Sequence, residues 1–122
     1  AFSPFANGVL TGAYDKTSTF EAGDMRARMP QFSAAAMEEN GQLLALLHDL
    51  AEEKGATCGQ IALAWMLCKK MYIVPIPGTR KRERLAENAG AADILLDAEE
   101  IAGIDECLER IPMSAVFGVM RR

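Results

Sequence analysis

The sequence predicts a mostly helical α/β domain with about two short strands. Four segments have a helical pattern, a β-branched run lies between the second and the third, and glycine or proline separates them. The chain has 122 residues, of which 50% are hydrophobic and 25% charged. This composition is typical of one folded domain and excludes disorder and collagen.

Charge, hydropathy and cysteine content restrict the partners and the location of the protein. A net charge of -4 argues against a general nucleic-acid or anionic-membrane surface. The longest apolar stretch, Ile61 to Cys68, is far shorter than the roughly 20 residues that a transmembrane helix needs. The three cysteines form no even disulfide framework and no secretory leader is visible, so we expect a cytoplasmic protein.

Two irregular regions are predicted before the first helix. Residues Ala1 to Gly12 are expected to be the end of a strand that continues into a loop containing proline and glycine. Residues 13–32 are polar, contain the breakers Gly23 and Pro30, and predict a long loop. Loops of this length are usually functional lids or mobile connections.

The first two helices have clear boundaries. Leucines at helical spacing predict a helix from Ser33 to about Lys54, which Gly55 ends. Thr57 and Gln60 form a capping box at the start of the second helix. This second helix is apolar on nearly all sides, so we expect it to be buried.

The second half of the chain alternates strand and helix. The β-branched run Tyr72–Pro77 predicts a strand, and a third helix is predicted from about Arg80 to Ala89. A second capping box, Asp97 with Glu100, begins a fourth helix that ends at Pro112.

The segment Gly78–Arg84 places four cations at the start of the third predicted helix. A helix N-terminus already carries about half a positive charge, so each cation there costs about 0.3 to 1 kcal/mol unless an anion offsets it. The Thr79 hydroxyl and the guanidinium groups of Arg80 and Arg84, expected on one helical face, would hold a phosphate together with the helix amides. The alternative is a solvated basic turn that nearby glutamates balance.

Three motifs occur in order along the chain. They are Phe2-Ser3-Pro4-Phe5-Ala6-Asn7-Gly8-Val9-Leu10-Thr11-Gly12, Gln60-Ile61-Ala62-Leu63-Ala64-Trp65, and Ile73-Val74-Pro75-Ile76-Pro77-Gly78-Thr79-Arg80 followed by Arg84-Leu85-Ala86-Glu87-Asn88. Together they resemble the C-terminal part of an aldo-keto reductase. The resemblance spans nearly the whole chain and about the last 40% of such a reductase, whose barrel has roughly 250 residues or more.

The resemblance implies a fold and an activity. Residues 1–122 would be the C-terminal portion of a (β/α)8 TIM barrel, from about strand 7 onward, and the tail 112–122 would help to shape the substrate pocket. The family reduces aldehydes or ketones to alcohols with NADPH, which it binds without a Rossmann fold. The chain has no G-x-G-x-x-G motif, in agreement with this.

The resemblance also implies which residues bind NADPH. Phe2 would stack on the nicotinamide ring. The residues that would follow the pyrophosphate are Ser3, Phe5, Asn7, Gly8 and Leu10. Next to Gly78, the residues that would hold the adenosine 2′-phosphate are Thr79, Arg80 and Arg84, while Glu87 and Asn88 would face the adenine. The basic pair favours NADPH over NADH.

No catalytic residue is assigned. The family uses an Asp, a Tyr, a Lys and usually a His, and no part of this sequence matches the contexts of those residues. We therefore expect the chain alone to be inactive, and to pair with a missing N-terminal part of the barrel or with itself, since two strands cannot close a barrel. A helical phosphate-binding or interaction module without catalysis is the alternative function.

Other reactive side chains have ordinary explanations. His48 is expected at the surface and Trp65 in the core. The three cysteines are expected to be structural thiols, and only Cys58, near a helix start, has a context that would lower its pKa. No metal site is predicted.

Overall fold

The computed structural model describes residues 1–112 and is built mainly from helices. The α-helices are α1 (Ala34–Glu39), α2 (Gly41–Lys54), α3 (Cys58–Lys69), α4 (Arg82–Gly90) and α5 (Ala98–Arg110). Short 3-10 helices lie at Ala6–Thr11, Met25–Arg28, Pro30–Phe32 and Ala91–Asp93. No helix of residues 1–112 is long and apolar enough to cross a bilayer. The tail 112–122, which is predicted to help shape the substrate pocket, lies outside the described residues except for residue 112.

Helices α2, α3 and α5 enclose the hydrophobic core. Its buried residues are Leu43, Leu47, Leu50, Ala51, Ile61, Ala64, Leu96 and Ile104. Helix α3 is central, because α2, α4, α5 and the 3-10 helix Ala6–Thr11 all pack on it. The prediction that α3 is buried is correct for its first half, whereas Leu67 and Cys68 near its end are exposed.

Both predicted capping boxes are present. The Thr57 hydroxyl accepts a hydrogen bond from the Gln60 N–H at 3.2 Å, and the Gln60 side chain accepts one from the Thr57 N–H at 3.0 Å. Asp97 and Glu100 make the same pair of bonds, at 2.8 and 2.7 Å. Each box satisfies two amides that a helix start leaves without partners, and an N-cap contributes about 1 kcal/mol.

The first predicted helix is two helices. The break lies at Asn40, whose side-chain amide donates to the Ala36 carbonyl at 2.6 Å. An asparagine side chain competes in this way with the backbone bonds of a helix, and Gly41, which follows it, has a low helix propensity. The single helix predicted over this segment was therefore wrong.

The predicted strand Tyr72–Pro77 forms no β-ladder within residues 1–112. It does lie beside the chain start, since the Ile76 N–H donates to the Ala1 carbonyl at 3.0 Å and the Ala1 amino group donates to the Val74 carbonyl. Two bonds in this arrangement are the pattern of a parallel pair. The predicted strands are thus unconfirmed as regular β-structure, because one paired residue does not make a ladder.

The predicted loop 13–32 has packing of its own. Its aromatic residues Tyr14, Phe20 and Phe32 form a cluster with ring centroids 5.1 to 5.5 Å apart. The Arg26 guanidinium lies over the Tyr14 and Phe20 rings and pairs with Asp24, which lowers the pKa of the Asp24 carboxyl. Cation–π contacts and aromatic pairs of this kind stabilise a segment with few helical bonds.

Candidate functional site

Two adjoining clefts lie between the N-terminal loop and the start of α4. The first, of about 210 Å³, is lined by Phe5, Thr11, Gly59, Gly78, Thr79, Arg84, Glu87 and Asn88. The second, of about 310 Å³, is lined by Ser3, Pro4, Phe5, Asn7, Gly8, Ile76 and Gly78. Because Phe5 and Gly78 line both clefts, we call the pair the Gly78 groove.

The Gly78 groove brings together nine of the twelve residues predicted to bind the cofactor. They are Ser3, Phe5, Asn7, Gly8, Gly78, Thr79, Arg84, Glu87 and Asn88. These residues come from two segments that are far apart in the sequence. Their proximity results from the packing of the N-terminal loop and α4 on the same helix, α3.

Three predicted residues do not line the groove. Leu10 is partly buried and packs against the hydrophobic core. Arg80 precedes α4, which begins at Arg82, so the prediction that Arg80 and Arg84 share a helical face was wrong. Phe2 is 68% exposed and lies outside the groove lining.

A turn before α4 explains why Arg80 does not line the groove. The Thr79 hydroxyl accepts a hydrogen bond from the Lys81 N–H at 3.1 Å, forming a local turn ahead of the helix. Lys81 itself occupies the N-cap position and provides no side-chain cap. Serine, threonine and aspartate side chains compete with helical bonds in this way, so helical geometry begins only after the turn.

Arg84 is the cation of the groove. Its side chain is 53% exposed, and its Nη1 atom lies 3.8 Å from Oε2 of Glu87, one turn further along α4. That distance is within ion-pair range but is too long for a hydrogen bond. The guanidinium can therefore donate hydrogen bonds to an anion in the groove.

Glu87 is held by the N-terminal end of α3. The Thr57 hydroxyl donates to Oε1 of Glu87 at 2.8 Å, and the Gln60 side-chain amide donates to the Glu87 carbonyl at 2.8 Å. The sequence predicts Thr57 and Gln60 as a capping box but does not predict these contacts. No sequence signal identifies them, since they depend on how α4 packs against α3.

The loop Ser3–Gly8 has an unusual backbone. Ser3, Ala6 and Asn7 have positive φ angles of 52°, 48° and 58°, a region that residues other than glycine rarely adopt. Gly8, at φ 107°, also passes close to the Tyr14 ring, which a Cβ atom would approach to 3.1 Å. Such conformations cluster at ligand-binding sites, where the surrounding structure maintains them.

Another cavity lies away from the Gly78 groove. It has a volume of about 650 Å³ between residues 11–16 and helices α1 and α2, and His48 and Cys58 line it. His48 is exposed as predicted and lies 3.9 Å from Glu52. Burial raises the pKa of the Cys58 thiol, opposite to the effect that a helix start suggested.

Trp65 is partly buried and packs against the hydrophobic core, close to the prediction of a core residue. Within residues 1–112, no three His, Cys, Asp or Glu side chains are grouped so that they could hold a metal ion.

Comparison with known proteins identifies the family. The sequence model of the aldo/keto reductase family matches residues 1–109. The chain belongs to the aldo/keto reductase family. It is 40% identical over 109 residues to the aldo-keto reductase str7 of Strobilurus tenacellus, a match that covers 89% of this chain and 32% of that protein. It is 33% identical over 108 residues to the aldo-keto reductase yakc [NADP(+)] of Schizosaccharomyces pombe, covering 88% of this chain and 32% of the relative.

A solved structure also resembles this member of the aldo/keto reductase family. The glycerol dehydrogenase AKR11B4 from Gluconobacter oxydans matches with a TM-score of 0.79 and 26% identity, over 96% of this chain and 36% of that one. The chain thus spans about a third of the length of the relatives that it matches. The likeness supports the prediction that its fold is part of a TIM barrel.

Proposed function

We propose that this chain is the cofactor-binding part of an NADPH-dependent oxidoreductase that reduces aldehydes or ketones to alcohols. The observation that carries the proposal is the Gly78 groove, in which nine predicted cofactor-binding residues meet. Membership of the aldo/keto reductase family supports the reaction class. The relative whose name includes NADP(+) supports the choice of cofactor.

The chemistry of the groove fits a phosphorylated ligand. A Cβ atom at Gly78 would have no neighbour within 4 Å, so a ligand can approach the backbone there. The Thr79 hydroxyl and the Arg84 guanidinium line the same cleft. A planar guanidinium matches the geometry of phosphate oxygens, so Arg84 would hold the 2′-phosphate of NADPH.

The remaining groove residues would bind other parts of the cofactor. Glu87 and Asn88 would face the adenine, and the residues that would follow the pyrophosphate are Ser3, Phe5, Asn7 and Gly8. NADPH supplies the hydride when it is bound. In this proposal Phe2 orients the nicotinamide by stacking.

We further propose that the reacting residues are outside this chain. None of its residues lies in a context that matches the catalytic Asp, Tyr, Lys and His of the family. The carbonyl substrate would bind only when the rest of the barrel is present, and the chain alone would bind cofactor weakly or not at all. In this proposal the protein is cytoplasmic.

Exchange of Arg84 for alanine in the full-length protein tests the proposal. Loss of a charge-assisted hydrogen bond to phosphate should weaken NADPH binding by about 1.5 to 3 kcal/mol, which is roughly 10- to 150-fold in Kd. NADH, which has no 2′-phosphate, should lose little. Both dissociation constants are measured by titration of cofactor fluorescence.

Arg82→Ala is the matched control. Arg82 carries the same charge on the same helix, but it does not line the groove. We expect it to change both dissociation constants by less than about threefold, as screened surface charges do. Equal losses of NADPH and NADH affinity in Arg84→Ala would refute the role of Arg84, and with it the proposed placement of the cofactor.

A further inference from the structure

The two carboxylate oxygens of Glu87 face different partners, a neutral hydroxyl and a guanidinium cation. Oε1 accepts a hydrogen bond of 2.8 Å from the Thr57 hydroxyl, whereas Oε2 remains 3.8 Å from Nη1 of Arg84. Charge-assisted bonds between guanidinium and carboxylate groups are usually about 2.7 to 2.9 Å long. Glu87 therefore makes its short bond to a neutral hydroxyl and not to the cation beside it.

The position of Glu87 is set from α3 at two points. Besides the Thr57 bond to its carboxylate, the Gln60 side-chain amide donates to its main-chain carbonyl at 2.8 Å. The opposite end of the Gln60 side chain accepts from the Thr57 N–H, so the capping box itself orients Gln60. Gly90 gives this amide room, because a Cβ atom there would lie 3.0 Å from Nε2 of Gln60.

We propose that Thr57 is a positioning residue that determines the preference for a 2′-phosphorylated dinucleotide. By holding Glu87 through Oε1, it prevents a close Glu87–Arg84 pair and leaves the guanidinium charge available to a phosphate. This inference rests on the proposed function, since it assumes that Arg84 binds the 2′-phosphate. Thr57 does not line the groove and acts only through Glu87.

The physical effect is a competition between two anions for one guanidinium. If Glu87 moved about 1 Å toward Arg84, it would form a hydrogen-bonded pair and occupy the donors that a ligand phosphate needs. A carboxylate at that point would also repel the phosphate. NADH has no charge at this position, so its binding would change little. The competition would therefore lower the ratio of NADPH affinity to NADH affinity.

The variants Thr57→Asp and Thr57→Asn separate this role from helix capping. Both new side chains can accept from the Gln60 N–H, so both cap α3. The asparagine amide can still donate to Glu87, whereas the aspartate carboxylate cannot and repels it. We expect Thr57→Asp to lower the ratio of NADPH to NADH affinity about fivefold, the effect of one exposed ion pair, and Thr57→Asn to change it less than about twofold.

Two further variants make the test independent of folding effects. Glu87→Gln in the Thr57→Asp background should restore the ratio, because a neutral amide does not compete for Arg84. Thr57→Gly removes the hydroxyl while glycine still serves as an N-cap, so it should lower the ratio in the same direction as Thr57→Asp. Thermal unfolding of each full-length variant shows that the compared proteins are folded.

The outcomes distinguish this inference from the proposed function. A ratio that is the same in wild type, Thr57→Asp and Thr57→Gly, while Arg84→Ala still weakens NADPH selectively, overturns the role of Thr57 alone. An Arg84→Ala variant that affects both dinucleotides equally overturns the proposed function and this inference with it. Failure of Glu87→Gln to restore the ratio also refutes the mechanism, since Glu87 would not be the competing anion.

Discussion

Gly12 couples the groove loop to α3. It follows the 3-10 helix Ala6–Thr11 with a left-handed backbone at φ 72°, and its N–H donates to the Val9 carbonyl at 3.4 Å. A Cβ atom on Gly12 would lie 3.3 Å from the Cys58 sulfur, a tight contact with the first residue of α3. Glycine is therefore required here for its conformation and for its small size, and Val9 stays buried beside it.

Replacement of Gly12 by alanine should lower the free energy of unfolding by about 1 to 2 kcal/mol. The positive φ angle accounts for about 1 kcal/mol, and the contact with the Cys58 sulfur adds the rest. Gly55→Ala is the control, because Gly55 has a similar φ of 61° and a Cβ atom added to it would have no neighbour within 4 Å. Urea denaturation measures both variants, and equal losses would show that the Cys58 contact has no cost.

The second half of α3 is attached to α5 through one carboxylate. Asp105 of α5 accepts from the Trp65 indole N–H at 2.9 Å and from the Lys69 ammonium at 2.6 Å. The Lys69 hydrogen bond, with a smaller contribution from Trp65, lowers the pKa of the Asp105 carboxyl, although partial burial opposes this. These bonds tie the second half of α3, whose residues Leu67 and Cys68 are exposed, to α5.

This attachment should depend on pH. The pKa of Asp105 is lower in the folded state than in the unfolded state, where it is about 4. The ionised carboxylate therefore contributes its full stabilisation above about pH 4. This stabilisation is lost as the pH falls through the lower folded-state pKa. At neutral pH, Asp105→Asn should reduce the unfolding free energy by about 1 kcal/mol, and this difference should shrink below about pH 4. Urea denaturation over that range measures it.

Glu106→Gln provides the comparison for Asp105→Asn. Glu106 is the next residue on α5 and pairs at 3.4 Å with Arg110, with both side chains more than two-thirds exposed. Exposed pairs contribute little, so we expect almost no change in stability at neutral pH. A difference between Asp105→Asn and wild type that stayed constant from neutral to acid pH would contradict the electrostatic explanation.

One outer face of the molecule is apolar. Tyr72, Val74 and Ile76 are exposed and alternate with half-buried neighbours along the segment 72–77. This segment pairs with Ala1, whose neighbour Phe2 is 68% exposed. Alternation with a period of two is typical of a strand with two different faces. Because apolar patches of this kind usually mark an interface, we propose that the rest of the barrel covers this face in the full-length protein.

The isolated 122-residue chain should therefore self-associate. Burial of the exposed apolar face against a second copy removes its side chains from water, which favours association. Sedimentation velocity at increasing concentration should show dimers or larger species, and Val74→Lys should increase the monomer fraction. Leu95→Lys is the control, since Leu95 is also exposed but is not part of the segment 72–77. A compact monomer at every concentration would contradict the proposal.

The boundaries of most helices were predictable because their signals are local. The capping boxes at Thr57 and Asp97 lie within four residues of sequence, and the glycine at position 55 ends α2 as expected. Nine groove residues were also predicted: Thr79 and Arg84 were indicated by the charge pattern as well, and the other seven only by similarity to the aldo-keto reductases. The basic residues at the helix start predicted an anion site formed by Thr79, Arg80 and Arg84, of which Thr79 and Arg84 line the groove and Arg80 does not.

Contacts between segments that are distant in the sequence could not be predicted from such local signals. The bond from Thr57 to Glu87 joins residues 30 positions apart, and the bond between Ala1 and Val74 joins residues 73 apart. Likewise, the turn before α4 places Arg80 outside the groove, and core packing withdraws Leu10 from it. Local patterns determine where a helix begins and which face is apolar. The relative placement of helices comes from close packing of the whole core, and this placement decides which polar atoms come within hydrogen-bonding distance.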